Sequence, residues 1–208
     1  MPVSKPGSNI FPALLALLTW FALVLQLVLL LQSEAAPVPE LLVRYFTFFT
    51  ILSNILVAVG LSVFVLRGRA GRSGSQRSLS AAAVYIFIVG LTYNSILRFL
   101  WAPEGMARVA DELLHLVVPV LYLIFWYLYV PQRQLGKAVI GRWLVFPFVY
   151  LIVVLVRGHY SGWYPYPFID AAKIGMQQTL INSLGVTLAF VAAAIAVWFI
   201  GNKRAAAR

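Results

Sequence analysis

The chain has 208 residues, 62% hydrophobic and only 11% charged, with a formal net charge of +10. A soluble domain carries about 25% charge, so this composition excludes an ordinary water-solvated globule and assigns most of the surface to lipid. The absence of cysteine excludes a disulfide framework and a thiolate metal site. The positive charge does not mark a nucleic-acid binder, because no ordered reading element carries it.

A bilayer crossing takes about 20 apolar residues. Six segments approach or exceed that length: 10–32, 42–66, 79–101, 112–130, 143–158 and 177–200. The first is longer than the 7–15 residues of a signal-peptide core and lacks a small-x-small site directly after it, so it reads as a retained helix. Residues 67–77 are rich in Gly, Ser and Arg and read as a flexible, solvated loop. The fifth segment is the shortest, with a start as early as Gly141 open to it. No internal repeat is visible. The expected architecture is all-α: one six-helix membrane domain spanning 1–208.

Charge orients this bundle through the positive-inside rule. With the N-terminus in the cytoplasm, that side holds Lys5, Arg67, Arg69, Arg72, Arg77, Arg133, Lys137, Arg142, Lys203, Arg204 and Arg208, and no acid. The outer side holds all six acids (Glu34, Glu40, Glu104, Asp111, Glu112, Asp170) together with Arg44, Arg98, Arg108, Arg157 and Lys173. Both termini are then cytoplasmic, and the basic loops serve retention and contacts with anionic lipid.

Polar residues inside a bilayer usually face the bundle interior and mark function. The second span carries Thr47, Thr50 and Asn54 on one face, with Ser53 beside them. Asn94 and Arg98 in the third span, Asp111 and His115 in the fourth, and Gln178 and Asn182 in the sixth are each spaced i, i+4; Pro119 follows one turn deeper than His115. At 1.5 Å per residue, Thr47, Asn94, His115 and Asn182 lie roughly 5–10 Å below the outer ends of their spans. They form one polar layer, whereas the inner halves are almost wholly apolar. Hydrogen bonding to a neighbouring helix accounts for a single Ser, Thr or Asn, and snorkelling accounts for Arg44, Arg98 and Arg157. A buried histidine beside a carboxylate asks for more. The last outer loop, 157–170, holds five aromatics, two prolines and two glycines, the composition of an interfacial belt or of an ordered cap over the layer.

Three blocks carry a resemblance: Arg44-Tyr-Phe-Thr-Phe-Phe-Thr-Ile-Leu-Ser-Asn54, Asp111-Glu-Leu-Leu-His-Leu-Val-Val-Pro119 and Gly162-Trp-Tyr-Pro-Tyr-Pro-Phe168. In order and spacing the chain resembles the androgen-induced-protein family and its bacterial six-helix relatives over essentially its whole length. That resemblance implies a multi-pass protein of a bacterial inner membrane. It also implies an intramembrane threonine hydrolase acting on esters of hydroxy fatty acids, with Thr47 as nucleophile and His115 as its partner. The chain departs from the family pattern at Phe46, at Asp111 and Glu112, and at Leu116.

A threonine hydroxyl needs an adjacent base. Asp111 is placed to hold the His115 tautomer as in triad logic, and Asn54, Asn94 or Asn182 to donate to an oxyanion. Arg98 and Arg157, with Trp163 and Tyr166 of the loop, are the candidate substrate contacts. No cofactor is expected. A zinc site is limited to His115, His159 and one carboxylate, Asp111 or Asp170. A lipid or small-molecule transporter is a second reading, and a membrane scaffold without a site is a third. Neither substrate chain length nor oligomeric state has a sequence signature here.

Overall fold

The computed structural model describes residues 9–67 and 76–207. Lys5, Arg69, Arg72, Arg208 and nearly all of the 67–77 loop lie outside them. The described residues are helical apart from turns: α1 (Ile10–Gln32), α2 (Val38–Thr47), α3 (Phe49–Leu66), α4 (Gln76–Ser95) with a 3-10 turn at Leu97–Phe99, α5 (Gly105–Glu112), a π-helical turn at Leu113–Val117, α6 (Val118–Tyr129), α7 (Ala138–Ser161), a 3-10 turn at Pro167–Ile169, and α8 (Ala171–Ala206). Six of these stretches are long and apolar enough to cross a membrane.

The expected spans match these helices with four main differences. The fourth starts earlier, at Gly105. The fifth starts at Ala138, giving it full length. The sixth extends to Ala206 and breaks at Gly175, whose φ of 79° is left-handed and suits glycine. The second is two helices rather than one, because Phe48 is extended (φ −74°, ψ 126°). No glycine or proline causes that break. Instead the Tyr150 hydroxyl, from α7, bridges it by donating to the Thr47 carbonyl (2.8 Å) and accepting from the Phe49 N–H (3.2 Å).

α4 is the central helix. Its most apolar window is 61% buried, against 22–50% for the other spans, and it packs against α3, α6, α7 and α8. It also repairs two prolines. A proline inside a helix leaves the carbonyl four residues back without its N–H partner, and an unpartnered carbonyl in a dry interior costs on the order of several kcal/mol. Pro147 lies in α7, and the Trp143 carbonyl accepts from Tyr85 of α4 (2.7 Å). Pro119 lies in α6, and the His115 carbonyl accepts from Asn94 of α4 (3.1 Å).

The basic end is not bare of polar contacts. Gln76 donates to Gln132 (3.1 Å) and to the Arg133 carbonyl (2.9 Å) and accepts from the Arg133 N–H (3.1 Å). Asn202 holds both the N–H and the carbonyl of Leu135 (2.8 and 3.0 Å). These bonds fasten the 130–137 connection to the first turn of α4 and the last of α8.

At the acidic end α7 stops on Gly162, which takes φ 68° and donates back to Gly158. The Tyr164 ring packs against Gly158 so closely that a Cβ there would overlap it. Gly158→Ala therefore has to displace the ring or the loop. Thermal denaturation in detergent should show a loss of about 1–3 kcal/mol, while Gly141→Ala, where a Cβ meets nothing within 4 Å, should be nearly neutral.

Candidate functional site

Of the expected polar layer, Asn94 and His115 meet at the π-helical turn between α5 and α6, joined by Asn54, while Thr47 and Asn182 bond elsewhere. There the Val118 N–H reaches back five residues to Leu113, and Pro119 has no N–H to give, so the Leu114 and His115 carbonyls lose their helical donors. Asn54 of α3 donates to Leu114 (3.3 Å) and to its own Thr50 carbonyl (2.9 Å). Asn94 of α4 donates to His115 (3.1 Å) and to its own Gly90 carbonyl (2.8 Å). An asparagine amide has two N–H donors, so in both residues each donor is occupied. Their work is to hold the π turn; the oxyanion-donor role expected of them would require breaking these bonds. Asn182 donates to the Phe168 carbonyl (2.9 Å) and accepts from Gln178 (2.9 Å), tying α8 to the loop.

The π turn aims His115. Its Nδ1 lies 2.9 Å from the Asp111 carbonyl and 3.2 Å from the Asp111 carboxylate. Both partners only accept, so Nδ1 carries the proton and Nε2 is left with a free lone pair, the tautomer a general base needs. The ring stacks on Tyr93, centroids 4.0 Å apart and planes 16° from parallel, and the Tyr93 hydroxyl donates to the other Asp111 oxygen. Asp111 thus holds both His115 and Tyr93.

His115 lines a cavity of roughly 390 Å³ between α4, α7, α8 and the start of α3. The walls are mostly aliphatic and aromatic, with Thr50, Thr92, Tyr93, Tyr150, Tyr166, Ser183 and Thr187 as polar exceptions. Val145 and Phe148 of α7 also line it and are 58% and 62% exposed, so the cavity opens sideways on the outer surface of the helices. Ser183 is buried and its Oγ has no hydrogen-bond partner among the described residues.

The first turn of α3 also lines the cavity. Its N-cap, Phe48, offers no side-chain acceptor. Two tyrosines supply the cap instead: the Phe49 N–H donates to Tyr150 and the Thr50 N–H to Tyr166 (3.3 Å). Burial, the largest influence, raises the Tyr166 phenol above its ordinary pKa, so it stays protonated at neutral pH. Thr50 lines the cavity with His115. Thr47 is buried on the other side of the break, its hydroxyl donating to the Val43 carbonyl (2.6 Å), and it is not among the lining residues. No hydrogen bond joins Thr47 to His115 among the described residues.

The arginines lie outside the cavity wall. Arg98 pairs with Glu112 (2.6 Å) and bonds Asn94 (3.0 Å). Arg157 and Arg44 share Glu40 (3.2 and 2.9 Å) and both approach the Trp163 ring, at 5.1 and 5.2 Å from its centroid. The Arg44 hydrogen bond, aided by the Arg157 charge and opposed by desolvation, holds Glu40 below the usual carboxylate range. This cluster braces the loop from which Tyr166 reaches the cavity. His159 is exposed at the end of α7 beside Tyr160, and no three His, Cys, Asp or Glu side chains converge among the described residues.

The residues the sequence reading missed are Tyr93, Tyr150 and Ser183. Tyr150 is the one phenol in the run 145–156, and a mid-span phenol must find a partner. That signal was available.

No protein-family model matches the chain, and neither a curated protein nor a solved structure matches it.

The repair of Pro119 can be tested by a double-mutant cycle. Asn94→Leu should cost about 1–3 kcal/mol by stranding the His115 carbonyl. Pro119→Ala returns an N–H at the position that carbonyl needs, so in that background the cost of Asn94→Leu should fall by about 1 kcal/mol or more. Equal costs in both backgrounds would show that Asn94 does not replace the missing bond.

Proposed function

We propose that this protein is an intramembrane hydrolase of a lipid-like ester, with a threonine nucleophile and His115 as general base. The observation that carries the reading is the His115–Asp111 pair, its Nε2 lone pair free, on the wall of an apolar cavity that also holds a threonine hydroxyl. A purely structural histidine does not require a fixed tautomer, a stacked ring and a carboxylate together. The apolar lining of the cavity supports a long apolar substrate, and its sideways mouth supports entry from the surrounding lipid.

In this reading the spans cross a bacterial inner membrane with both termini cytoplasmic, as the charge partition supports, and the polar end of the cavity lies in the outer half. The hydroxyl attacks the ester carbonyl as its proton passes to His115 Nε2. The C–O bond to the alcohol then breaks, and that oxygen takes the proton from His115. Water, activated by the same imidazole, releases the acid. Asp111 holds the imidazole through both steps.

Geometry favours Thr50 as the nucleophile, because it shares the cavity with His115. A second assignment, Thr47, is favoured by the resemblance of the block 44–54. It needs a side-chain rotation away from the Val43 carbonyl.

The test is turnover of a long-chain p-nitrophenyl ester by the purified chain in phospholipid vesicles. His115→Ala should lower kcat by about 10³ or more, within the range for removal of a triad base. Thr50→Ala should abolish the acyl-enzyme burst, and Thr47→Ala should leave it. The reverse pattern assigns the nucleophile to Thr47, and a burst retained in both variants removes threonine chemistry.

A further inference from the structure

The hydrolase reading leaves open what stabilises the negative charge on the carbonyl oxygen. Both donors of Asn54 and of Asn94 are occupied, and Asn182, Arg98 and Arg157 are not among the residues that line the cavity. The two tyrosines that cap α3 differ in how their protons are used. Tyr150 gives its proton to the Thr47 carbonyl (2.8 Å). Tyr166 accepts from the Thr50 N–H, and the hydroxyls of Thr50 and Tyr150 also lie within hydrogen-bond reach of its oxygen. A hydroxyl is a far weaker acceptor than an oxyanion.

We infer that Tyr166 is the oxyanion donor of the site: its O–H, polarised by the first-turn N–H of α3, hydrogen-bonds the carbonyl oxygen as the tetrahedral intermediate forms. The inference rests on the hydrolase reading. When the threonine oxygen bonds to the ester carbon, the carbonyl π pair moves onto oxygen, and the Tyr166 hydroxyl meets it. The pair returns as the alcohol leaves, so Tyr166 keeps its own proton throughout.

Three features converge on this assignment. The Thr50 N–H points at the Tyr166 oxygen, and in acyl-transfer sites the nucleophile's own amide commonly belongs to the oxyanion hole. The positive end of α3 backs the phenol. Ser183, 5% exposed and with no partner for its Oγ among the described residues, lines the same cavity and follows Asn182, which is tied to the Tyr166 loop through Phe168. A polar group left unsatisfied in an apolar chamber is accounted for by a polar ligand atom at this end.

The experiment compares the wild type with Tyr166→Phe in vesicles, using a long-chain p-nitrophenyl ester and, as inhibitors, an alkyl trifluoromethyl ketone and the matching alkyl ether. Phe keeps the ring contacts with Phe48 and Phe168. The expected result is a fall in kcat of about 10²–10³ with KM little changed. Affinity for the ketone, which forms the tetrahedral adduct, should fall by a comparable factor, and affinity for the ether should not. Should Tyr166→Phe fail to fold, 3-fluorotyrosine at 166 preserves packing and gives a more acidic phenol. Turnover should then fall at a lower pH than in the wild type, because an ionised phenol has no proton to donate; an unchanged alkaline limb would overturn the assignment. Full kcat in Tyr166→Phe, or equal losses of ketone and ether binding, would overturn the assignment while leaving the hydrolase intact. Absence of ester turnover in the wild type would instead overturn the hydrolase reading, and this inference with it.

Discussion

Inside an apolar bundle no water stands ready to replace a lost backbone hydrogen bond, and that constraint organises the structure around α4. Two prolines interrupt neighbouring helices, and each strands a carbonyl one turn back. α4 answers both, with Tyr85 at Trp143 and Asn94 at His115. The second repair matters more, because the repaired residue is His115 itself. With Asn54 on the adjacent Leu114 carbonyl, α3 and α4 hold the π turn from two sides. The wide turn changes the direction in which side chains leave the helix, and His115 is thereby stacked on Tyr93 with Asp111 beneath it.

The break at Phe48 is the complementary device. A helix start exposes N–H groups that must be met, and here they face the cavity rather than water. Tyr150 and Tyr166 meet them from elements about a hundred residues further along the chain. His115 and the positive helix end thus belong to different helices that line one chamber. The ion-paired cluster of Glu40, Arg44, Arg157 and Trp163 fixes the loop that carries Tyr166.

Much of this was legible in the sequence. The first span was readable to its ends because its apolar run is uninterrupted. The matched depth of Asn94 and His115 agrees with the hydrogen bond that joins them. Its purpose could have been read as well, since Pro119 stands four residues after His115 and implies a carbonyl in need of a donor. The break at Phe48 was not legible: no glycine or proline marks it, and the Tyr150 hydroxyl that bonds both sides of it comes from α7. Nor was the clamp of Gln76, Gln132 and Asn202 at the basic end, because its residues lie at the margins of spans, where polar side chains are ordinary. Whether a polar residue has its donors spent or free depends on which carbonyls surround it in three dimensions, and this separated Asn54 and Asn94 from Tyr166.

In the proposed reading, the sideways mouth beside Val145 and Phe148 decides how the chamber fills. A molecule reaching it travels in the plane of the apolar phase around the helices, and its concentration in water enters only through partition. Occupancy follows the mole fraction of the molecule among its neighbours. Adding inert lipid or detergent at constant total amount therefore dilutes the ligand as a larger volume of water dilutes a soluble one. Saturation is a property of surface composition, and the same protein in two membranes of different lipid content has two different apparent affinities.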